Sequence, residues 1–476
     1  MTEKKHIHFI GICGVGMGAL AVMFKKMGWK VTGSDKGFFP PISEYLKKAK
    51  ISFYPGWHPE KIGNPDIIVV GNFISLKNPE YLFANERKLT IKSFPELVKK
   101  YIIKKNSIVV AGTYAKTTIS AFLAHAIKIA NKNPSWFVGG IAPNLKNGAH
   151  CGQGQWSITE GDEYSTARWD IRSKFLWYKP THLILSSVIW DHVDIFPKEK
   201  NYLDSFAKLA KLLPPQGKIL ASIKKEKDNN LEKIISLANT EIIRYGKKEV
   251  IKNKKDYSYE INSLSSQKSC FTVYNQNKIL GKFETKLFGE HMIENLTAGI
   301  AMCHIIGVKL DSIKKATKNF QGVKRRLELK SSKKDIFIFD DLAHSPIKAK
   351  SSLKAIRLYF PQARIFAVYE PNVGNRTETS KKFYEKAFSS ADFVLIPRLS
   401  KTKTNTEQEK RMNGIELSKI IKQKNKKNLK VSYFEVDDEL VNFLETKTKP
   451  GDVIIFLGSH SFRGMIEQSV RQISFK

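Results

Sequence analysis

A lysine and two threonines, Lys116-Thr117-Thr118, follow directly on the loop Gly112-Thr113-Tyr114-Ala115. Upstream lies the run Ile108-Val109-Val110, and downstream apolar residues recur at helical spacing through Ile119, Phe122, Leu123, Ala126 and Ile127. A buried strand, a glycine turn and a helix opened by Lys-Thr form a phosphate cradle. Loop amides and the helix dipole receive the oxygens, the ammonium reaches the terminal phosphates, and a hydroxyl holds magnesium. The general loop pattern asks for glycine at 110 and 115, where the chain has Val110 and Ala115. The shorter form G-T-x-G-K-T fails only at Ala115. Taken alone, the stretch reads equally well as the exposed start of a helix in a lysine-rich chain.

Other residues with chemistry come later. Ser157 to Tyr164 predicts a strand ending in the carboxylates Glu160, Asp162 and Glu163. Hard oxygen donors beside a phosphate loop suit magnesium, although acidic loops are also commonly just solvated. Asp191-His192 follows an expected strand at 183–188, and Arg325-Arg326 is a guanidinium pair suited to bidentate phosphate contact or an exposed basic turn. An expected strand at 337–339 runs into Asp340-Asp341-Leu-Ala-His344-Ser-Pro346, and Gly289 to Asn295 opens a helix containing His291.

Positioning such groups takes parallel sheets. At the N-terminus an expected strand (6–11) leads into Gly11, Gly14, Gly16 and Gly18 and a helix through about Met27. Gly14-x-Gly16-x-x-Ala19 fits a dinucleotide fingerprint, and Gly33-Ser34-Asp35 after a second strand (29–32) offers an acid for ribose hydroxyls. A further strand, 67–72, ends in Gly71-Asn72. By itself this suggests NAD binding, but a phosphate loop after a dinucleotide loop argues against a simple dehydrogenase. The expected architecture is α/β in three domains, each a mainly parallel sheet with flanking helices: 1–100 Rossmann-like, 101–330 P-loop ATPase-like and 331–476 Rossmann-like. Residues 222–285, rich in Lys and Asn, read as an outer strand region without chemistry.

Composition sets limits. The 476 residues exceed one ordinary core, and 42% hydrophobic content is that of a globular chain. A net charge of +35 raises the question of nucleic acid, but only 13 of the 80 basic residues are arginine and the lysines are scattered. Nucleic-acid readers concentrate charge and use arginine forks, so no nucleic-acid partner is expected. Cys13, Cys151, Cys270 and Cys303 show no CxxC spacing, so a reducing cytoplasm is expected. Lys4-Lys5 before an apolar run imitates a signal peptide, but the glycines and Lys25-Lys26 argue for strand, loop and helix. No apolar stretch reaches spanning length, and no membrane partner is expected.

In their order these motifs resemble the Mur ligase family, the amino-acid-adding enzymes of peptidoglycan synthesis. The short phosphate loop resembles that family's ATP loop, and Gly11 to Ala21 with Gly33-Ser34-Asp35 resembles its UDP-sugar loop. The resemblance implies ATP and Mg2+ as cofactors. It implies that UDP-N-acetylmuramate contacts Gly11, Gly14, Gly16, Met17, Asp35 and Asn72. ATP would meet Gly112, Thr113, Tyr114, Ala115, Lys116, Thr117 and Thr118. Beyond the loop, ATP would meet His291 and Asn295, the latter pair at the adenine, together with Arg326, Asp341 and His344. Thr117, Glu163 and His192 would hold magnesium, and Lys116, Glu163, His192 and Arg326 would serve catalysis.

The run Asp162-Glu-Tyr-Ser-Thr-Ala-Arg168, Asp170-Ile-Arg-Ser-Lys174-Phe175 and Asp191-His192 resembles one branch of the family, the murein tripeptide recycling ligases. That branch joins UDP-N-acetylmuramate to L-alanyl-γ-D-glutamyl-meso-diaminopimelate through an acyl phosphate. Two other functions stay open: ligation of free L-alanine, and a UDP-sugar-binding paralogue that has lost ATP chemistry. The departures Tyr114, Ala115, Ser186-Ser187, Met292 and Asn372 motivate the second.

Overall fold

The computed structural model describes residues 4–38, 40–190, 195–224, 228–251, 253, 255–400 and 411–475. The chain folds as three α/β domains built on mainly parallel sheets. Spatially it divides into two compact units: 1–262 with 270–285 and 293–323, and 263–269 with 286–292 and 324–476.

The first unit holds two sheets. The N-terminal sheet has five strands in the spatial order Ser52–Pro55, Lys30–Asp35, His6–Ile10, Ile67–Val70, Ile91–Ser93, all parallel. Its central strand is fully buried, as a β-branched and aromatic run between two helical layers should be. The order reverses between His6–Ile10 and Ile67–Val70, so their two following loops leave a crevice at the carboxyl edge of the sheet. One loop carries Gly11 to Gly16 and the other Gly71-Asn72. The second strand is longer than the expected 29–32: it runs to Asp35, which becomes the last strand residue.

In the central sheet Asn106–Ala111 lies between Trp156–Glu160 and His182–Leu185, parallel to both. Ile108, Val109 and Val110 are fully buried. That adjacency puts the end of Trp156–Glu160 beside the phosphate loop. The strand expected over 183–188 stops at Leu185, because Ser186 and Ser187 turn away to contact the loop. The region 222–285 supplies four strands on one side of this sheet: Glu241–Lys247, Tyr257–Leu264, Ser269–Asn275 and Lys278–Thr285. A small antiparallel hairpin, Ser165–Ala167 with Asp170–Ser173, follows the acidic strand end. Alternation was too brief there to predict it.

The second unit carries a six-stranded sheet. Phe337–Asp341, Val453–Gly458, Ile365–Glu370, Phe393–Ile396 and Lys430–Tyr433 are parallel, and Glu328–Ser331 is antiparallel at the edge. The strand expected at 337–339 is present and runs two residues further, Phe337–Asp341. Among the described residues no helix is long and apolar enough to cross a membrane.

Candidate active site

The phosphate loop is built by backbone shape and a latch. Gly112 has φ +129°, and a Cβ there would collide with Ser186 and Ser187, so only glycine fits. Thr113 donates its hydroxyl to the Ile189 carbonyl (2.6 Å), and its N–H meets the Ser187 carbonyl (3.1 Å). Ser186 Oγ donates to the Tyr114 carbonyl at 2.5 Å. Ala115 then adopts φ +70°, ψ −16°, the left-handed region, and caps the helix Lys116–Ile129 without a side-chain hydrogen bond. Such a conformation costs an L-residue roughly 1–2 kcal/mol. With no side-chain cap, the first amides of this helix are of the kind that receives an anion.

Lys116 and Thr117 meet different carboxylates. Lys116 Nζ lies 3.0 Å from Glu163 and donates to the Gly112 carbonyl at 2.5 Å. Thr117 Oγ1 donates to Glu160 Oε1 (2.8 Å), while the Gly139 N–H donates to Glu160 Oε2 (2.7 Å). Burial pushes the Glu160 carboxyl up, opposed first by the Thr117 hydrogen bond. Glu160 is one of three acids in the expected cluster, whereas the family resemblance implies Glu163 for the metal. What would have distinguished them is the order of the strands, since Glu160 ends the neighbour of the phosphate-loop strand. Asp162 pairs with Lys174 at 2.7 Å. Burial opposes its ionisation, but Lys174 holds the carboxyl below the usual range. Thr118 is buried on the first helical turn, and Tyr114 is exposed.

The glycine loop is held from behind. Gly11 (φ +87°) and Ile12 donate their N–H groups to the Ser34 carbonyl at 2.9 and 3.0 Å. Asp35 accepts from the Cys13 N–H (2.9 Å) on one oxygen and from the Lys36 N–H (2.7 Å) on the other. The acid expected to take ribose hydroxyls thus accepts one backbone N–H on each oxygen. Gly16 leaves room for the Phe94 ring, which a Cβ would meet at 2.9 Å. Gly14, Gly16, Met17 and Asn72 line a cavity of about 450 Å³, shared with Lys116 and Glu163. Residues from two sheets thus converge within the first unit, and Asn295, almost buried, belongs to that unit too.

Arg326, Asp341, His344 and His291 belong to the second unit. There Asp341 accepts from Ser352 Oγ at 2.5 Å, and burial raises its pKa against that bond and the charge of Arg326. Its neighbour Arg325 pairs with Asp340 (3.2 Å) and donates to the carbonyls of Gly458, Ser459 and His460, fastening the last loop. His192 lies outside the described residues. Among those described, no three His, Cys, Asp or Glu side chains converge as a metal cluster. Thr117 Oγ1 and Glu160 do place two hard oxygen donors together at the phosphate loop, which fits a magnesium ion that keeps most of its waters.

Parallel sheets with a phosphate loop and a glycine loop opening on one cavity define a nucleotide-dependent enzyme of several domains. Models of the Mur ligase family match along the chain: the catalytic domain over residues 6–105, the middle domain over 110–303 and the glutamate ligase domain over 325–460. A UDP-N-acetylmuramate–L-alanine ligase of Dictyoglomus turgidum is 30% identical over 463 residues, covering 96% of this chain and 95% of that protein. The UDP-N-acetylmuramate–L-alanyl-γ-D-glutamyl-meso-2,6-diaminoheptandioate ligase of Haemophilus influenzae is 29% identical over 478 residues, covering 99% and 100%. In fold, the crystal structure of a UDP-N-acetylmuramate–alanine ligase from Thermotoga maritima matches with a TM-score of 0.79 and 23% identity over 100% of both chains. The chain belongs to the Mur ligase family, and it is an ATP-using, ADP-forming carbon–nitrogen ligase.

Proposed function

We propose that this ligase joins the lactyl carboxylate of UDP-N-acetylmuramate to the free α-amine of L-alanyl-γ-D-glutamyl-meso-diaminopimelate, in peptidoglycan recycling. The observation that carries the donor side is the shared cavity, where the glycine loop faces Lys116. The carboxylate oxygen attacks the γ-phosphorus of ATP, ADP leaves, and an acyl phosphate forms. The amine then attacks the acyl carbon, and phosphate leaves with the amide formed. Such transfer depends on positioning and charge stabilisation.

Lys116 would leave Glu163 for the γ-phosphate, and the first amides of its helix would bind the β-phosphate. Thr117 and Glu160, with Glu163 and His192, would hold magnesium. When bound, the metal would neutralise phosphate charge during transfer. Arg326, Asp341, His344 and His291 are proposed as nucleotide ligands on motif resemblance. A cytoplasmic location follows from ATP and a UDP-sugar as substrates.

The tripeptide acceptor rests on the run from Asp162 to Phe175. Free L-alanine is the second reading, favoured by the 30% identical relative. Phosphate release with ATP, UDP-N-acetylmuramate and each acceptor separates them. A higher kcat/KM with the tripeptide is expected, and a higher value with L-alanine would replace this acceptor with the second.

A further inference from the structure

One cation of the cavity has no part in the steps above. Lys174 lines the same space as Lys116 and the glycine loop, with a side chain only 12% exposed. Its backbone is fixed on both sides: its N–H donates to the Tyr164 carbonyl (2.9 Å), and the Phe175 N–H donates to the Asp162 carbonyl (3.2 Å). The fully buried Phe175 anchors the turn. The ammonium sits 5.8 Å from the ring centres of both Phe94 and Tyr164, so little water surrounds it. Asp162 occupies one of its three N–H donors at 2.7 Å.

We infer that Lys174 is the clamp for the donor's carboxylate, which resting on the proposed donor makes it the counterpart of Lys116. Two anions must meet in this reaction, the attacking carboxylate and the γ-phosphate, and their repulsion grows as water is excluded. Lys116 and the loop amides answer the phosphate. Lys174, paired with Asp162 rather than with Glu163, answers the nucleophile and orients it. Asp162 holds the ammonium in place through one N–H group while the other N–H groups reach the substrate. The alternative role for Lys174 is neutralising Asp162 and nothing more.

The two roles separate through a pair of ligands that differ only in the lactyl group, UDP-N-acetylmuramate and UDP-N-acetylglucosamine. Binding of each to the full chain is measured by calorimetry without ATP. Lys174→Met should weaken binding of the lactyl sugar about tenfold or more, as expected for loss of a charge-assisted hydrogen bond, and leave the other sugar within about twofold. Lys174→Gln is measured in the same way if the methionine variant does not fold. Equal affinity of variant and parent for UDP-N-acetylmuramate overturns the clamp, as do equal losses for both sugars or a parent that binds the two alike. Those outcomes leave the donor class standing. A parent that binds neither sugar overturns the donor reading and the clamp with it.

Discussion

The glycine loop and the phosphate loop of the first unit are built on one plan and used differently. Each follows an interior strand of a mainly parallel sheet, and each opens a helix with no side-chain cap. The glycine loop carries no charge of its own and is stapled from behind by the Asp35 carboxylate. The phosphate loop has its charges in front: Lys116 on Glu163 and Thr117 on Glu160. A loop that only binds can be held by backbone, whereas a loop that handles moving charge needs groups able to exchange partners. The strain is placed accordingly, with glycine at φ +87° in the first loop and alanine at φ +70° in the second.

Removing the front charges should have the largest effect. Lys116→Ala should lower kcat at least about 100-fold, the usual scale for one preorganised charge-stabilising group, with an unchanged circular dichroism spectrum. Near-normal turnover at saturating ATP would erase the distinction between the loops. Glu160→Gln comes next: it should raise the Mg2+ concentration for half-maximal activity about tenfold or more, since a neutral amide is a poor ligand for a hard cation. An unchanged Mg2+ requirement would remove Glu160 from the proposed metal site.

Smaller effects belong to the supports. Asp35→Asn should raise the KM for the UDP-sugar by about five- to tenfold, the scale of weakening a charge-assisted hydrogen bond, and leave the KM for ATP alone. If the KM for ATP moves instead, the two loops are not independent. Ala115→Gly should lower the KM for ATP by up to about tenfold by relieving a left-handed penalty of roughly 1–2 kcal/mol. No change would mean the latch through Ser186 and Thr113 already offsets the strain.

Local pattern explains why some of this was readable from sequence. Strand, glycine turn and helix are encoded by consecutive residues, so both loops and the strands behind them were legible. Asp35 was legible as the acid that follows the second strand, whereas its hold on the Cys13 N–H depends on the pairing of the first and second strands. The partner of Thr117 depends on which strand lies beside Asn106–Ala111, a matter of crossover order. The Ser186 latch looked like a defect in a motif until the strand end was seen to turn into the loop. Lys174 lay in a run read only for family branch, while its ion pair with Asp162 depends on a hairpin too short to show alternation.

The central claim is that the two loops serve one reaction, with the carboxylate of a UDP-sugar carried to phosphate held at Lys116. Incubating the chain with ATP, Mg2+ and UDP-N-acetylmuramate carrying 18O in both oxygens of its lactyl carboxylate, together with the tripeptide, tests it most directly. The account predicts one 18O atom in each phosphate released, since the acyl oxygen leaves with the phosphoryl group. Phosphate released without the label would mean that ATP is cleaved by water, and that the two loops do not share a reaction.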